Sequence, residues 1–281
     1  MNQAVQAALF ALGSAAAWGA GDFSGGLASK RSSPISVTLI SNPFGLVCLL
    51  ALALLKHSAL PSTHDLIVGF AAGACGAAGL LVFYRALSSG KMGVVAPVTA
   101  VVANVVSVSF GAFTEGLPRA LQFVGFGLAI LGIWVISKPE SGARVSLQDF
   151  LPALFAGLAF GAFFILTAQF SSPDLSWALV AARIGTITVT VLAAILTRHR
   201  FKLEPSSLPL AFAAGGLDSL GNLLFALSTS LGRLDVGSAL SSLYPVTTVL
   251  LAMLFLKERF TGLQGFGALL ALVSIPLIVG F

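Results

Sequence analysis

Four ionisable side chains stand inside long apolar stretches of this 281-residue chain: Asp22, Arg85, Arg183 and Asp218. A charge at the centre of a membrane helix costs roughly 2.5–3.5 kcal/mol on insertion scales, so it is kept where it is paired or faces water. Asp22 and Arg85 lie toward matching ends of their stretches, and Arg183 and Asp218 lie near the middle of theirs. Opposite charges at matched depth predict two ion pairs. Burial penalises a charged carboxylate and a neighbouring cation favours it. Asp218 is therefore a candidate to exchange a proton, or to take a substrate ammonium, when Arg183 is displaced. Asp22 and Arg85 sit close enough to an interface for a long side chain to snorkel, so a purely structural tie is the equal alternative there.

Aromatic rings give a second candidate chemistry. Trp18, Tyr84, Phe163 and Tyr244 each stand close to a small or helix-loosening residue, namely Gly19, Ala86, Gly161 and Pro245. Rings facing a cavity can hold a planar or cationic molecule against their negative faces; lipid contact or core packing is the plainer role. Asn104, Gln169 and Asn222, with Asn42 ahead of Pro43, are intramembrane amides whose default is interhelical hydrogen bonding. Asn222 follows Asp218 by four residues and so shares its helix face. Trp134 and Trp177, at the ends of apolar stretches, read as interfacial anchors.

The elements that carry these residues follow from composition. Hydrophobic residues make up 57% of the chain and charged ones 9%, with a mean hydropathy of +0.99; a soluble domain carries roughly 25% charged residues. A spanning helix needs about 20 mainly apolar residues. Short polar clusters cut the chain into ten such stretches, near 5–27, 34–55, 65–88, 92–113, 119–137, 150–170, 174–196, 207–230, 235–256 and 261–280. No soluble domain is left over, and the first run reads as a retained span. Helices joined by connections this short must be neighbours. The prediction is an all-α integral membrane protein of ten transmembrane helices.

The two halves, 1–140 and 145–281, match internally. Ala8-Leu9-Phe10-Ala11 recurs as Ala153-Leu154-Phe155-Ala156, which sets Trp18 at the depth of Phe163. Ala86-Leu87 recurs as Ala226-Leu227, and Gln122-Phe123-Val124-Gly125 as Gln264-Gly265-Phe266-Gly267, each shortly after Glu115 or Glu258. Five spans per half is odd, so the second half crosses the membrane in the opposite sense: two inverted five-helix repeats. Pro43, Pro97, Pro152, Pro245 and Pro276 fall in or beside spans and predict kinks, with Pro97 and Pro245 candidate hinges.

The net charge of +5 is spread singly between spans, a topology signal that gives no reason to expect nucleic acid. Lys56, Arg119 and Arg233 lie on the side of the termini; Lys30, Arg31, Lys91, Lys138, Arg144, Arg198, Arg200, Lys202, Lys257 and Arg259 lie on the other, which is expected to be cytoplasmic. Cys48 and Cys75 have neither paired spacing nor histidine neighbours, so no disulfide, metal or other cofactor is expected. His57, His64 and His199 sit near span ends, and no zinc-protease or nucleophile-elbow pattern is present, which argues against an intramembrane enzyme. No phosphate-binding loop supports an ATP-driven pump. A narrow channel stays open as an alternative.

These residues resemble the EamA-type branch of the drug/metabolite transporter (DMT) superfamily over the whole chain. The similarity is carried by Ala226-Leu227, Gly237 through Val246, Leu256-Lys257-Glu258-Arg259, Gln264 and Gly267, and in the first half by Trp18-Gly19, Ala96-Pro97-Val98, Thr114-Glu115, Gln122 and Gly125. Two positions depart from it: Gly116 follows Glu115 where a basic residue is usual, and the arginine of the second helix of a repeat is present as Arg183 but has no counterpart around Pro43. The resemblance implies a basket with a central cavity lined by helices one to four and six to nine, helices five and ten being peripheral. It implies alternating-access transport of a small molecule across the cell inner membrane, usually outward and often coupled to protons, by a monomer or weak dimer. The balance of two acids and two arginines favours an amino acid or similar zwitterion, with cationic amines and drugs as the alternative. Trp18, Asp22, Tyr84, Asn104, Phe163, Arg183, Asp218, Asn222 and Tyr244 are the candidate substrate-binding residues.

Overall fold

A computed structural model describes the backbone of residues 2–87, 92–136, 147–172, 174–256 and 262–280, and the side chains of 2–83, 98–135, 151–172, 174–256, 262–263 and 265–280. Its helices are α1 (Gln3–Ser29), α2 (Pro34–Leu55), α3 (Thr63–Leu87), α4 (Met92–Thr114), α5 (Ala120–Ile136), α6 (Leu147–Ala168), α7 (Ser176–Leu196), α8 (Leu208–Leu231), α9 (Leu234–Ser241), α10 (Tyr244–Leu256) and α11 (Gly262–Val279). No strand occurs among the described residues. Seven segments are long and apolar enough to cross a membrane, one of them α9 and α10 taken together, and three shorter apolar helices complete the ten.

The ninth span departs from a single helix. It breaks at Ser242-Leu243, just before Pro245. Proline has no N–H to give to the carbonyl four residues back, here Ser241, and its ring crowds that carbonyl. The backbone tightens accordingly: Leu243 N–H donates to Leu240 O at 3.2 Å and Val246 N–H to Leu243 O at 2.9 Å, each three residues back. Pro43 and Pro276 are instead carried inside continuous helices. Pro97 lies outside the described side chains.

Helix pairing obeys the repeat. α1 packs on α8 as α6 packs on α3; α2 packs on α8 as α7 packs on α3; α1 meets α10 as α6 meets α4. The pairs α2 with α7, α4 with α9, and α5 with α11 map onto themselves. The fold is thus two inverted five-helix repeats, and α5 with α11 forms a pair that packs on α1, α4 and α9 through one buried apolar cluster.

Small residues permit the closest of these approaches. On the α3–α7 seam a Cβ at Gly73 would overlap the Ala182 carbonyl, and one at Gly185 the Phe70 carbonyl. The α2–α8 seam repeats the device, with Gly215 against the Ser41 carbonyl.

Both ends of the α2–α7 flank are laced by polar groups. At one end the Asp65 carboxylate, 0% exposed, accepts from Ser171 N–H and hydroxyl at 3.0 Å each, from Ser172 N–H at 2.8 Å, and from the Ser172 hydroxyl. Beside it Asp174 takes the Ser58 hydroxyl at 2.8 Å and Lys56 at 3.7 Å, and Trp177 Nε1–H donates to Ser58 O at 3.0 Å. At the other end Lys202 N–H donates to Ser36 Oγ and Glu204 N–H to Ser32 Oγ, both at 2.9 Å, while His199 Nε2 lies 3.1 Å from Ser36 Oγ.

Candidate functional site

A cavity of about 160 Å³ lies between the two repeats. Its wall runs from Trp18, Phe163, Asn222 and Tyr244 at mid-span to Ser29 and Val37 at the α1–α2 end. That is the end at which the distribution of basic residues leads one to expect the cytoplasm.

The floor of the cavity is a continuous polar chain. Trp18 Nε1–H donates to Asn222 Oδ1 at 3.0 Å, and Asn222 Nδ2 donates to Asp218 Oδ2 at 3.4 Å. Asp218 Oδ2 lies 2.7 Å from Arg183 NH2. Arg183 is also held by Ser219 Oγ at 2.8 Å and by Asn42 Oδ1 at 3.2 Å, and Asn42 Nδ2 reaches Thr190 Oγ1 at 3.4 Å. One chain of contacts therefore joins α1, α8, α7 and α2.

The pair is asymmetric. The Arg183 side chain is 2% exposed and the Asp218 side chain 46%. Arg183 does not line the cavity, whereas Asp218 does. A guanidinium satisfied by three partners is a fixed countercharge; the half-exposed carboxylate is the part a substrate can touch. Asp22 also lines the cavity and is half-buried. Among the described residues it has no hydrogen-bond or ion-pair partner. The expected partner, Arg85, lies outside the described side chains, as does Tyr84.

Aromatic packing gives the cavity its apolar wall. The Trp18 ring centroid lies 6.1 Å from Phe163, 5.9 Å from Phe164 and 5.6 Å from Phe225. Phe164 and Phe225 are 4.9 Å apart. The indole can lie against α8 because residue 221 is glycine; a Cβ there would strike the Trp18 ring.

Of the candidates, Trp18, Asp22, Phe163, Asp218, Asn222 and Tyr244 line one cavity, with Arg183 directly behind Asp218. Asn104 is placed elsewhere. It faces a separate groove between α4 and α5, because α4 turns this face away from α6 and toward α5. Gln169, just past the end of α6, donates to Ile165 O at 3.4 Å and joins no interhelical bond among the described residues. Asn42, an amide expected to bond between helices, does so by holding Arg183. Residues not singled out from the sequence are also prominent: Ser219 holds Arg183, Gly221 admits Trp18, and Phe160, Phe164 and Thr186 line the wall. Adjacency to Asp218 and Phe163 was the available signal for Ser219 and Phe164.

Away from the cavity mouth, Arg233 closes the α4–α9 end. It donates to the carbonyls of Glu115 and Gly116 at 3.0 and 2.6 Å and pairs with Asp235 at 2.7 Å. The bond to Asp235 holds the guanidinium pKa up, and burial raises that of the Glu115 carboxyl.

The sequence model of the EamA-like transporter family matches residues 5–138 and 150–280. No curated protein matches the chain. Among solved structures, one crystal structure of a protein superimposes with a TM-score of 0.79, covering 98% of this chain and 98% of that one at 18% identity. At that identity the likeness speaks for the fold alone.

Proposed function

Since the chain belongs to the EamA-like transporter family, we propose that it is a secondary transporter carrying a small amine-bearing metabolite by alternating access. An amino acid or similar zwitterion is the first class, moved outward across the cell inner membrane. One observation carries this reading: a mid-span cavity between the repeats presents two carboxylates, Asp22 and Asp218, of which only Asp218 has a cation beside it among the described residues. An ammonium fits at Asp22, and the rings of Trp18 and Phe163 fit an apolar or planar body. The Trp18–Asn222–Asp218 chain offers the remaining polar contacts.

A second reading is favoured by the placing of Arg183. Because it lies behind Asp218 and off the cavity wall, a substrate carboxylate has no described cation to meet unless Asp218 moves away. That favours a simple cationic amine over a zwitterion. Occupation of Asp22 by either a proton or an ammonium would make transport proton-coupled.

The test is uptake and counterflow in proteoliposomes with labelled amino acids and labelled amines side by side. Saturable flux with counterflow for one class is the expected outcome. Flux that rises linearly with concentration and shows no counterflow would identify a channel and overturn the proposal.

A further inference from the structure

A second cavity, about 290 Å³, lies between α4 and α5 and shares no lining residue with the central one. Its wall is apolar (Val105, Val108, Phe123, Phe126, Ile130) apart from Asn104 and Ser109, and Ala239 of α9 closes its back. Val105 and Phe123, 52% and 49% exposed, form its outer rim, so it opens on the bilayer side of the molecule.

Asn104, near the middle of α4, is 4% exposed, and its Oδ1 has no hydrogen-bond partner. The amide cannot be turned to relieve this. Nδ2 donates to Ala100 O at 3.2 Å, and the flipped amide would set two acceptor oxygens against each other. A buried acceptor left unmade is rare enough to require a cause. Hydrocarbon at this depth supplies no donor, and a single water would leave most of its own hydrogen bonds unmade. Gly127 on the facing wall adds a second observation: a Cβ there would meet nothing within 4 Å. The groove is therefore open above Gly127 and approaches the roughly 300 Å³ at which ligand clefts begin.

We propose that the α4–α5 groove binds a small bilayer-dissolved alcohol or phenol, its apolar body between Phe123, Phe126 and Gly127 and its O–H donating to Asn104 Oδ1. The site is independent of transport through the central cavity. It takes amphiphiles whose donor can reach mid-bilayer, which excludes phospholipid headgroups.

The full chain in nanodiscs is irradiated with a diazirine-bearing octanol and the labelled peptides are mapped by mass spectrometry. Labelling is expected at Val105, Phe123 and Phe126, competed by 1-octanol and not by n-octane. Asn104→Leu removes the acceptor, and Gly127→Leu fills the space with a better helix former. Asn104→Leu is expected to lower labelling by about five- to ten-fold, the effect of one buried hydrogen bond, and Gly127→Leu to lower it by excluding the apolar body. Equal competition by octane, labelling spread evenly over lipid-facing helices, or full labelling in both variants overturns the proposal. So does protein–protein cross-linking through the same residues with no octanol effect, which would seat a second copy there. Competition on the unaltered protein decides the matter even if a variant fails to fold.

Discussion

Arg183 and Asp218 meet at 2.7 Å with unequal surroundings: the arginine is enclosed by Ser219 and Asn42, and the aspartate faces the cavity. Each side of the pair thus has its own consequence when removed.

Asp218→Asn leaves a buried guanidinium with only neutral partners. Breaking a buried pair costs about 3–5 kcal/mol, and the half-exposed carboxylate places this one near 3 kcal/mol. A clear fall in melting temperature is expected in detergent-solubilised protein. Arg183→Met with Asp218→Leu should recover most of that loss, while transport in vesicles stays absent. Unaltered transport and pH dependence in Asp218→Asn would remove this carboxylate from the mechanism.

Asp22 has no described partner to lose, so Asp22→Asn is expected to leave the melting temperature unchanged or raised. Uptake of the amine substrate should fall by about ten-fold or more, the weight of roughly 1.4 kcal/mol or greater in binding. A stability loss as large as that of Asp218→Asn would instead mark Asp22 as a structural tie.

Gly221→Val sets a branched side chain against the Trp18 ring. Overpacking of this kind costs about 1–3 kcal/mol. Tryptophan fluorescence should shift as the indole leaves its place. Trp18→Phe keeps the ring stack and loses only the bond to Asn222, so a smaller effect on both stability and transport is expected.

Asp174 lies in the α6–α7 connection, outside the spans. Ser176, whose N–H donates to Asp174 Oδ1 at 2.8 Å, leads against burial in holding the Asp174 pKa at about 2, with Ser58 and Lys56 adding to it. A depressed carboxylate stabilises above its unfolded value of about 3.9 and loses that contribution as pH falls toward 2. Asp174→Asn is therefore expected to lower the melting temperature at pH 6, with the difference from the unaltered protein shrinking between pH 4 and pH 2.

Much of the architecture is written in hydropathy alone, because each span announces itself by length and the repeat by matched motifs. Depth was legible too: Arg183 and Asp218 sit at corresponding levels and meet. Facing was not. A span that is apolar on all sides carries no amphipathic stripe to orient it, so Asn104 could not be told from a cavity residue, although it turns to α5. The broken ninth span was signalled by Pro245 but not its extent, since prolines 43 and 276 stay within unbroken helices. Of the partners of Arg183, Asn42 was legible as an amide with an interhelical bond to make, whereas Ser219 becomes significant only once α7 and α8 are packed.

The lacing on the α2–α7 flank is fastened at both membrane faces at once, by Asp65 with Ser171 and Ser172 on one and by Ser32 and Ser36 with the chain at 202–204 on the other. If the two halves swing to admit cargo from alternate sides, this edge serves as the spine of the book. The pages then part along α4 and α9, where Arg233 is the clasp at the rim and the Ser107–Ser238 hydroxyl pair, at 2.9 Å, is a second one further in.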